Sequence, residues 1–326
     1  MRARWLIGLS VAAAGIIAAA VTFGLKTVHA MDAQRKYEFG RAPDFLFQKE
    51  RMPYGCAGWP EKQPRRGSFV TFSPRAPFRQ TRETKWTLAR KDLPALTLAA
   101  DMTTFVTIAG EERPDWSLKL CAKGDGTTEA EARGKMESVS LARMGDLFSV
   151  EGRGSVAQPD ATADVLVQGP VDAPTTFHSS FGAIKVYDMD GPVRVATPRG
   201  RATILHTTGR VDVTGEIVDY AGAKGTVTLN ASAEIDLKLI GPRFDGMLSA
   251  MAERSVRVLT PKGFATPFEA VVEKRDDFAC RADFCAQVKE EKKSGLYFFS
   301  YGGPGGDAKI HLRSEHGPVV MDTTTE

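Results

Sequence analysis

His29, His178, His206, His311 and His316 are the residues of this 326-residue chain best suited to hold a metal or move a proton near neutral pH. Their spacing supports neither use. None lies in an H-E-x-x-H or H-x-H pattern, so a metal site would need distant partners. His311 alternates with Ile310 and Leu312 and is expected to face solvent on a strand, while His206 closes a strand at a turn. Asp188 and Asp190 flank Met189 at a turn, but aspartate does not recur turn after turn as a Ca²⁺-binding array requires. The loop Gly302-Gly303-Pro304-Gly305-Gly306-Asp307 lacks the Lys-Ser/Thr pair and following helix of a phosphate-binding loop. No G-x-S-x-G elbow surrounds Ser179-Ser180. Lys185, Arg194, Thr203 and Asp212 are the outward residues of short alternating runs. They read as one mixed stripe rather than the carboxylate pair of a glycosidase. The chain is therefore expected to hold no catalytic residue, no metal ligand and no cofactor site, and not to be an enzyme.

Cysteine offers the remaining reactive chemistry. Cys280 and Cys285 are five apart, a spacing that suits a small disulfide loop, and no CxxC or histidine pair supplies a zinc ligand set. Cys56 and Cys121 would then pair by elimination, although Cys121 also fits a buried strand cysteine. An oxidising compartment is implied by the N-terminus. Arg2 and Arg4 precede an apolar run from Trp5 to Leu25, followed by the small-x-small sequence Val28-His29-Ala30. Residues 1–30 are thus either a cleaved signal peptide or an uncleaved anchor that places residues 5–25 in the inner membrane.

The elements that would carry these residues are written in glycine. Gly182, Gly191, Gly200 and Gly209 fall nine residues apart, each opening a short alternating run. In Ile184-Lys185-Val186, Val193-Arg194-Val195 and Val211-Asp212-Val213, two β-branched residues point one way and a charge the other. A run so short needs copies of itself stacked against it. The glycines are read as sharp turns that need positive φ. The pattern drifts through Thr226–Leu229, Ile235–Leu239 and Val256–Val258, and returns at Ala308–Leu312 and Val319–Met321. The predicted fold is mostly β: a parallel β-solenoid (β-helix) over 161–326, preceded by a small α+β module over 93–160.

That module is expected to hold strands at Leu96–Leu98, Phe105–Ile108 and Trp116–Leu120. A helix capped by Thr127 or Thr128 follows, then a hairpin of Val139–Ala142 with Leu147–Val150. Ahead of it, residues 31–92 form a Pro/Arg-rich arm, read as mostly irregular with one short strand at Ser68–Phe72. Charge is divided between arm and body: 31–92 carry 14 Lys+Arg against 7 Asp+Glu, and 93–326 carry 26 against 33. A basic arm on an acidic body packs on that body or reaches an anionic surface. It lacks the aromatic interleaving of a nucleic-acid platform, so no nucleic acid is expected. Tyr297, Phe298, Phe299 and Tyr301 form an aromatic cluster read as a cap, with a partner surface as the alternative.

Three stretches resemble the bacterial putative-adhesin family of envelope β-solenoids. They are Thr127–Ala132 with Val139–Leu141 and Gly145-Asp146-Leu147; Val171–Pro174 running into Ser180–Val186; and Gly191–Val195 with its successors. The likeness covers about 95–321. It implies a parallel β-helix behind an α+β module and carries no catalytic residues. The implied role is structural or adhesive in the cell envelope, with the protein exported to the periplasm or envelope. Partners would be a protein or envelope glycan met through the solenoid surface, with a membrane reached through the N-terminal segment. The alternatives are a membrane-associated accessory subunit and a carbohydrate-active enzyme on a β-helix.

Overall fold

The computed structural model describes residues 78–100, 104–152, 161–302 and 308–324. The expectations placed on residues 1–30, the strand at Ser68–Phe72, Cys56, His29 and the loop 303–307 lie outside the described residues.

Among the described residues, twenty strands join in one largely parallel sheet, which runs through two ladders of paired segments. The first ladder is centred on β2 (Leu96–Ala100), β8 (Thr175–Ser179), and the leading halves of β10 (Val193–Leu205), β11 (Arg210–Gly222) and β12 (Lys224–Leu239). It continues through β13 (Asp245–Ala252), β19 (Ile310–Ser314) and β15 (Phe268–Val272). The second ladder is centred on β3 (Thr104–Glu111), β9 (Phe181–Tyr187) and the trailing halves of β10, β11 and β12. It continues through β14 (Ser255–Thr260), β20 (Val319–Thr323) and β16 (Phe278–Cys280). Side chains from both ladders meet in one core. Val193, Val195, Val211, Val213, Val227 and Leu229 of the first face Ile184, Val186, Ala202, Ile204, Val218 and Tyr220 of the second.

The pairing interval is twice the glycine period. Gly182 lies opposite Gly200, and Val193 opposite Val211, so one repeat is two nine-residue strands that belong to different ladders. The register slips between Thr197 and Arg201, where β10 passes from one ladder to the other. The glycines also differ from their expected use. Of the four, only Gly182 has positive φ, at 109°. The other three are required by close approach: a Cβ on Gly200 would lie 2.3 Å from the Gly182 carbonyl oxygen, and one on Gly209 2.3 Å from that of Asp190. Positive φ falls instead on Asp188 (57°) and His206 (52°), one repeat apart at the same corner.

At the near end, β4 (Asp115–Gly126) runs antiparallel to β7 (Ala161–Pro170), which in turn pairs in parallel with β3. The helix α1 (Glu129–Glu137) packs on β4. Its N-cap is Thr128, whose Oγ1 accepts from Glu131 N, while Glu131 Oε2 accepts from Thr127 N and Oγ1 at 2.7 Å. The hairpin of β5 (Ser140–Met144) and β6 (Leu147–Glu151) adds to β2. Trp116 is fully buried, and its Nε1 donates to Leu93 O at 2.8 Å.

The basic stretch differs from expectation where it is described. Phe78–Ala89 is not irregular but a 12-residue strand, β1, antiparallel to β4. Its side chains are mostly polar and exposed, so no clear apolar alternation marks it. The backbone pairing offered by β4 holds it in place, with Trp86 and Leu88 against the core. At the far end the 261–309 excursion supplies a second antiparallel unit. In it β18 (Leu296–Tyr301) pairs with β15, and β17 (Lys289–Lys293) with β18. Phe299 stacks on Phe278 at 4.1 Å, and Phe284 packs against Tyr301 at 4.9 Å and Phe268 at 5.7 Å. The Cys280–Cys285 disulfide closes beside this cluster, with Cα atoms 5.6 Å apart.

Candidate interaction surface

Since successive nine-residue runs enter different ladders, the stripe of Lys185, Arg194, Thr203 and Asp212 does not exist as one surface. Arg194 and Asp212 lie on the outer side of the first ladder, and Lys185 and Thr203 on that of the second. Alternation says whether a side chain points in or out. It does not say which of two ladders its strand has joined.

The outer side of the first ladder is open. One row across it runs Thr176, Arg194, Asp212, Thr228, Ser249, His311, Glu269. The next runs His178, Ala196, Thr214, Asn230, Met251, Arg313. Arg194, His178, Thr214, Ser249 and Arg313 are exposed, and Met247 and Met251 on β13 are 57% and 39% exposed. Asp212 accepts from Arg210 at 2.9 Å and sits 3.7 Å from Arg194. From β2 to β15 the eight strands span seven gaps, about 34 Å. The surface mixes hydroxyls, an amide, both charges and thioethers, a composition suited to contact over area.

The outer side of the second ladder is buried and charged. Asp219 has no exposed surface. It accepts from Arg201 at 2.6 and 2.8 Å and from Thr203 Oγ1 at 2.9 Å. Beside it on β12, burial pushes the Asp236 carboxyl up to about 6, partly offset by the Arg257 guanidinium 3.5 Å away and reinforced by Asp219 and Glu234. Near the other end, burial raises Asp164 on β7 to about 6 against its ion pair with Lys123, whose own pKa burial lowers. Sequence reasoning missed these carboxylates. Asp219 and Asp236 are 17 residues apart, and only the ladder register makes them neighbours. Asp219 accepts three hydrogen bonds, from Arg201 and Thr203, of the about four a carboxylate can take.

The histidines are scattered. His178 is exposed on β8 and His206 occupies a corner. His311 lies on β19 with Nδ1 3.9 Å from Glu269, and His316 has Nδ1 3.8 Å from Glu273. Among the described residues no three His, Cys, Asp or Glu side chains gather as a metal site, and no helix is long and apolar enough to cross a membrane. Cys121 is buried on the outer side of β4 and is not a free thiol.

No family model matches the chain, and no curated protein matches it. Solved structures do. A putative cell adhesion protein from Clostridium sporogenes is 10% identical, with a TM-score of 0.29 over 76% of this chain and 100% of its own. A putative adhesin from Bacteroides fragilis is 8% identical, with a TM-score of 0.26 over 77% of this chain and 99% of its own. One from Parabacteroides merdae is 6% identical, with a TM-score of 0.25 over 74% and 96%. At these scores the likeness carries no argument about activity.

Proposed function

We propose that this is an exported, non-catalytic β-solenoid with a structural or adhesive role in the bacterial cell envelope, its contact surface being the open outer side of the first ladder. The solenoid reading rests on the doubled interval. A chain that visits each ladder once per repeat, and pairs in parallel with its own previous repeat, winds around its core. The α+β module expected over 93–160 supplies β4, α1 and the hairpin of β5 and β6, which with β1 cover the near end, while its β2 and β3 join the ladders. Export, to the periplasm or bound to the inner membrane through residues 5–25, follows from the N-terminal sequence and agrees with the disulfide at Cys280–Cys285.

One observation carries the adhesive role: two rows of mostly polar side chains lie on a broad, accessible sheet, while on the second ladder Asp219 is buried and Asp236 half-buried. A flat polar surface binds by summed contact with a protein or glycan, not by enclosing a small substrate. The test is retention of the purified chain on isolated envelope fragments. Thr214→Arg, Thr228→Arg and Ser249→Arg together should abolish retention while leaving the unfolding midpoint near that of the parent. Unchanged retention removes this surface from the account. Loss of binding after protease treatment of the envelope identifies a protein partner, and loss after periodate a glycan. Turnover of an envelope polysaccharide by the purified chain would overturn the non-catalytic reading.

A further inference from the structure

Three neighbouring strands of the first ladder each present one kind of side chain on the open side. β12 presents the hydroxyls and amide of Thr226, Thr228 and Asn230, and β13 the thioethers of Met247 and Met251 on either side of Ser249. β19, with Lys309 just ahead of it, presents Lys309, His311 and Arg313. These residues alternate with Val227, Leu229, Leu248, Ala250, Ile310 and Leu312, which are buried in the core. Arg313 lies opposite Met251 and His311 opposite Ser249, while Leu248 N donates to Lys309 O and sets Lys309 beside Met247. No acid stands in these three columns. The acids that border them are already engaged: Asp212 with Arg210 and Arg194, and Glu269 with His311 at 3.9 Å. Lys309 and Arg313 are exposed, and neither side chain has an ion-pair or hydrogen-bond partner among the described residues. Beyond Met251 and Arg313 the chain reaches the corner at Glu253 and Glu315, which bounds the patch.

We propose that this patch takes an acidic segment of a partner protein in extended conformation, with carboxylates on Lys309 and Arg313 and apolar side chains on Met247 and Met251. The assignment rests on the adhesive reading for its setting, and narrows the partner from a protein or glycan to an acidic protein. Two uncompensated cations beside uncommitted hydroxyls and an amide form a surface rich in donors, the complement of a carboxylate-bearing chain. Spacing agrees. Lys309 and Arg313 are four residues apart along one strand, about 13 Å, and an extended segment laid along it repeats its surface-facing side chains about every 7 Å. Acids four residues apart in that segment therefore meet both cations, and the residue midway between them faces His311 and Ser249. Met247 and Met251 supply flexible apolar contact, which suits the varied side chains of a protein. A glycan finds no aromatic ring in these columns on which to stack.

The probe is a labelled peptide of Glu-Ser-Leu-Ser repeats, titrated with the purified full chain at low salt and followed by fluorescence anisotropy. Binding should weaken as salt rises. Lys309→Glu with Arg313→Glu should weaken it at least about tenfold, and Arg194→Glu, on the near half of the surface, less than about twofold. Should charge reversal lower the unfolding midpoint, Lys309→Gln with Arg313→Gln carries the test. Equal binding by parent and double variant, or no binding by the parent, overturns the proposal. Polygalacturonate, a polyanion on a sugar backbone, should bind at least about tenfold more weakly than the peptide. Equal binding of the two means that charge alone is read, and overturns the protein assignment. Envelope retention separates this proposal from the adhesive reading. A chain that binds the peptide but is not retained supports the patch and removes the adhesive role. Retention that survives charge reversal keeps the adhesive role and removes the acidic partner. The triple arginine variant described above blocks the same seat by bulk, whereas charge reversal leaves the seat open and removes only the attraction.

Discussion

Three glycine-to-alanine substitutions should give three different outcomes, and the differences follow from what surrounds each Cα. In Gly209→Ala the new methyl would lie 2.3 Å from the Asp190 carbonyl oxygen and 2.7 Å from that of Gly191. Both are backbone atoms of the preceding repeat, so no side chain can swing aside. Reaching an ordinary contact means parting the two repeats by about 1.1 Å in a close-packed interior. The bonds at risk are Thr208 N to Met189 O at 2.9 Å and Thr226 N to Gly209 O at 3.3 Å. Weakening two backbone hydrogen bonds and overpacking a corner costs about 2–4 kcal/mol. Gly145 has nothing within 4 Å but holds φ at +62°, so Gly145→Ala should cost only the left-handed penalty of about 1–2 kcal/mol. Gly134 is exposed within α1 with nothing within 4 Å, and Gly134→Ala should stabilise by about 1 kcal/mol. Urea unfolding midpoints, with the slope checked for constancy, give all three values. A Gly209→Ala chain within about 0.5 kcal/mol of the parent would refute close approach as the reason for the nine-residue glycines.

Two further substitutions separate inward from outward and charged from neutral. Val211→Ala, at a fully buried position between Val193 and Val227, should cost about 1–3 kcal/mol, whereas Arg194→Ala on the open side should stay within about 0.5, both read from urea midpoints. The Asp236 carboxyl is raised in the folded state from 3.8 to about 6, so its ionisation opposes folding fully above pH 6. That cost fades as the pH falls through 6 toward 3.8. Asp236→Asn should therefore gain about 1–3 kcal/mol at pH 7.5, about a third of that at pH 4.5 and almost nothing at pH 3. Equal destabilisation at all three values would show that the contact with Arg257 outweighs burial.

Much of this fold is legible before any coordinates. The strands around Leu96, Phe105, Trp116 and Leu147 and the capped helix at Thr128 declare themselves through alternation and capping chemistry. The glycine register announces stacking. Its meaning is half hidden, because alternation has no term for which ladder a strand joins. Lys185 and Arg194 look like neighbours nine residues apart, yet they stand on different outer sides. β1 escapes notice for another reason. Its polar sequence forms a strand through the partner it finds, not through its own pattern. The buried carboxylates were equally unreadable, since Asp219 and Asp236 meet only through the register of β11 on β12.

The spatial order of the strands departs from their order in the chain at both ends. β19 lies between β13 and β15, and β20 between β14 and β16, although β15 and β16 come earlier in sequence. At the near end β2 lies between β6 and β8, and β3 between β7 and β9. A repeat laid down in simple succession can peel away one turn at a time, each loss breaking a single seam. Here the outermost repeats are interleaved, so freeing one end means withdrawing a strand from between two others and breaking both seams together. Leu248 must find Ile310, 62 residues on, before the far cap can seat. Assembly therefore finishes late and by long-range closure. Once closed, fraying from either end gives way to unfolding in larger cooperative blocks.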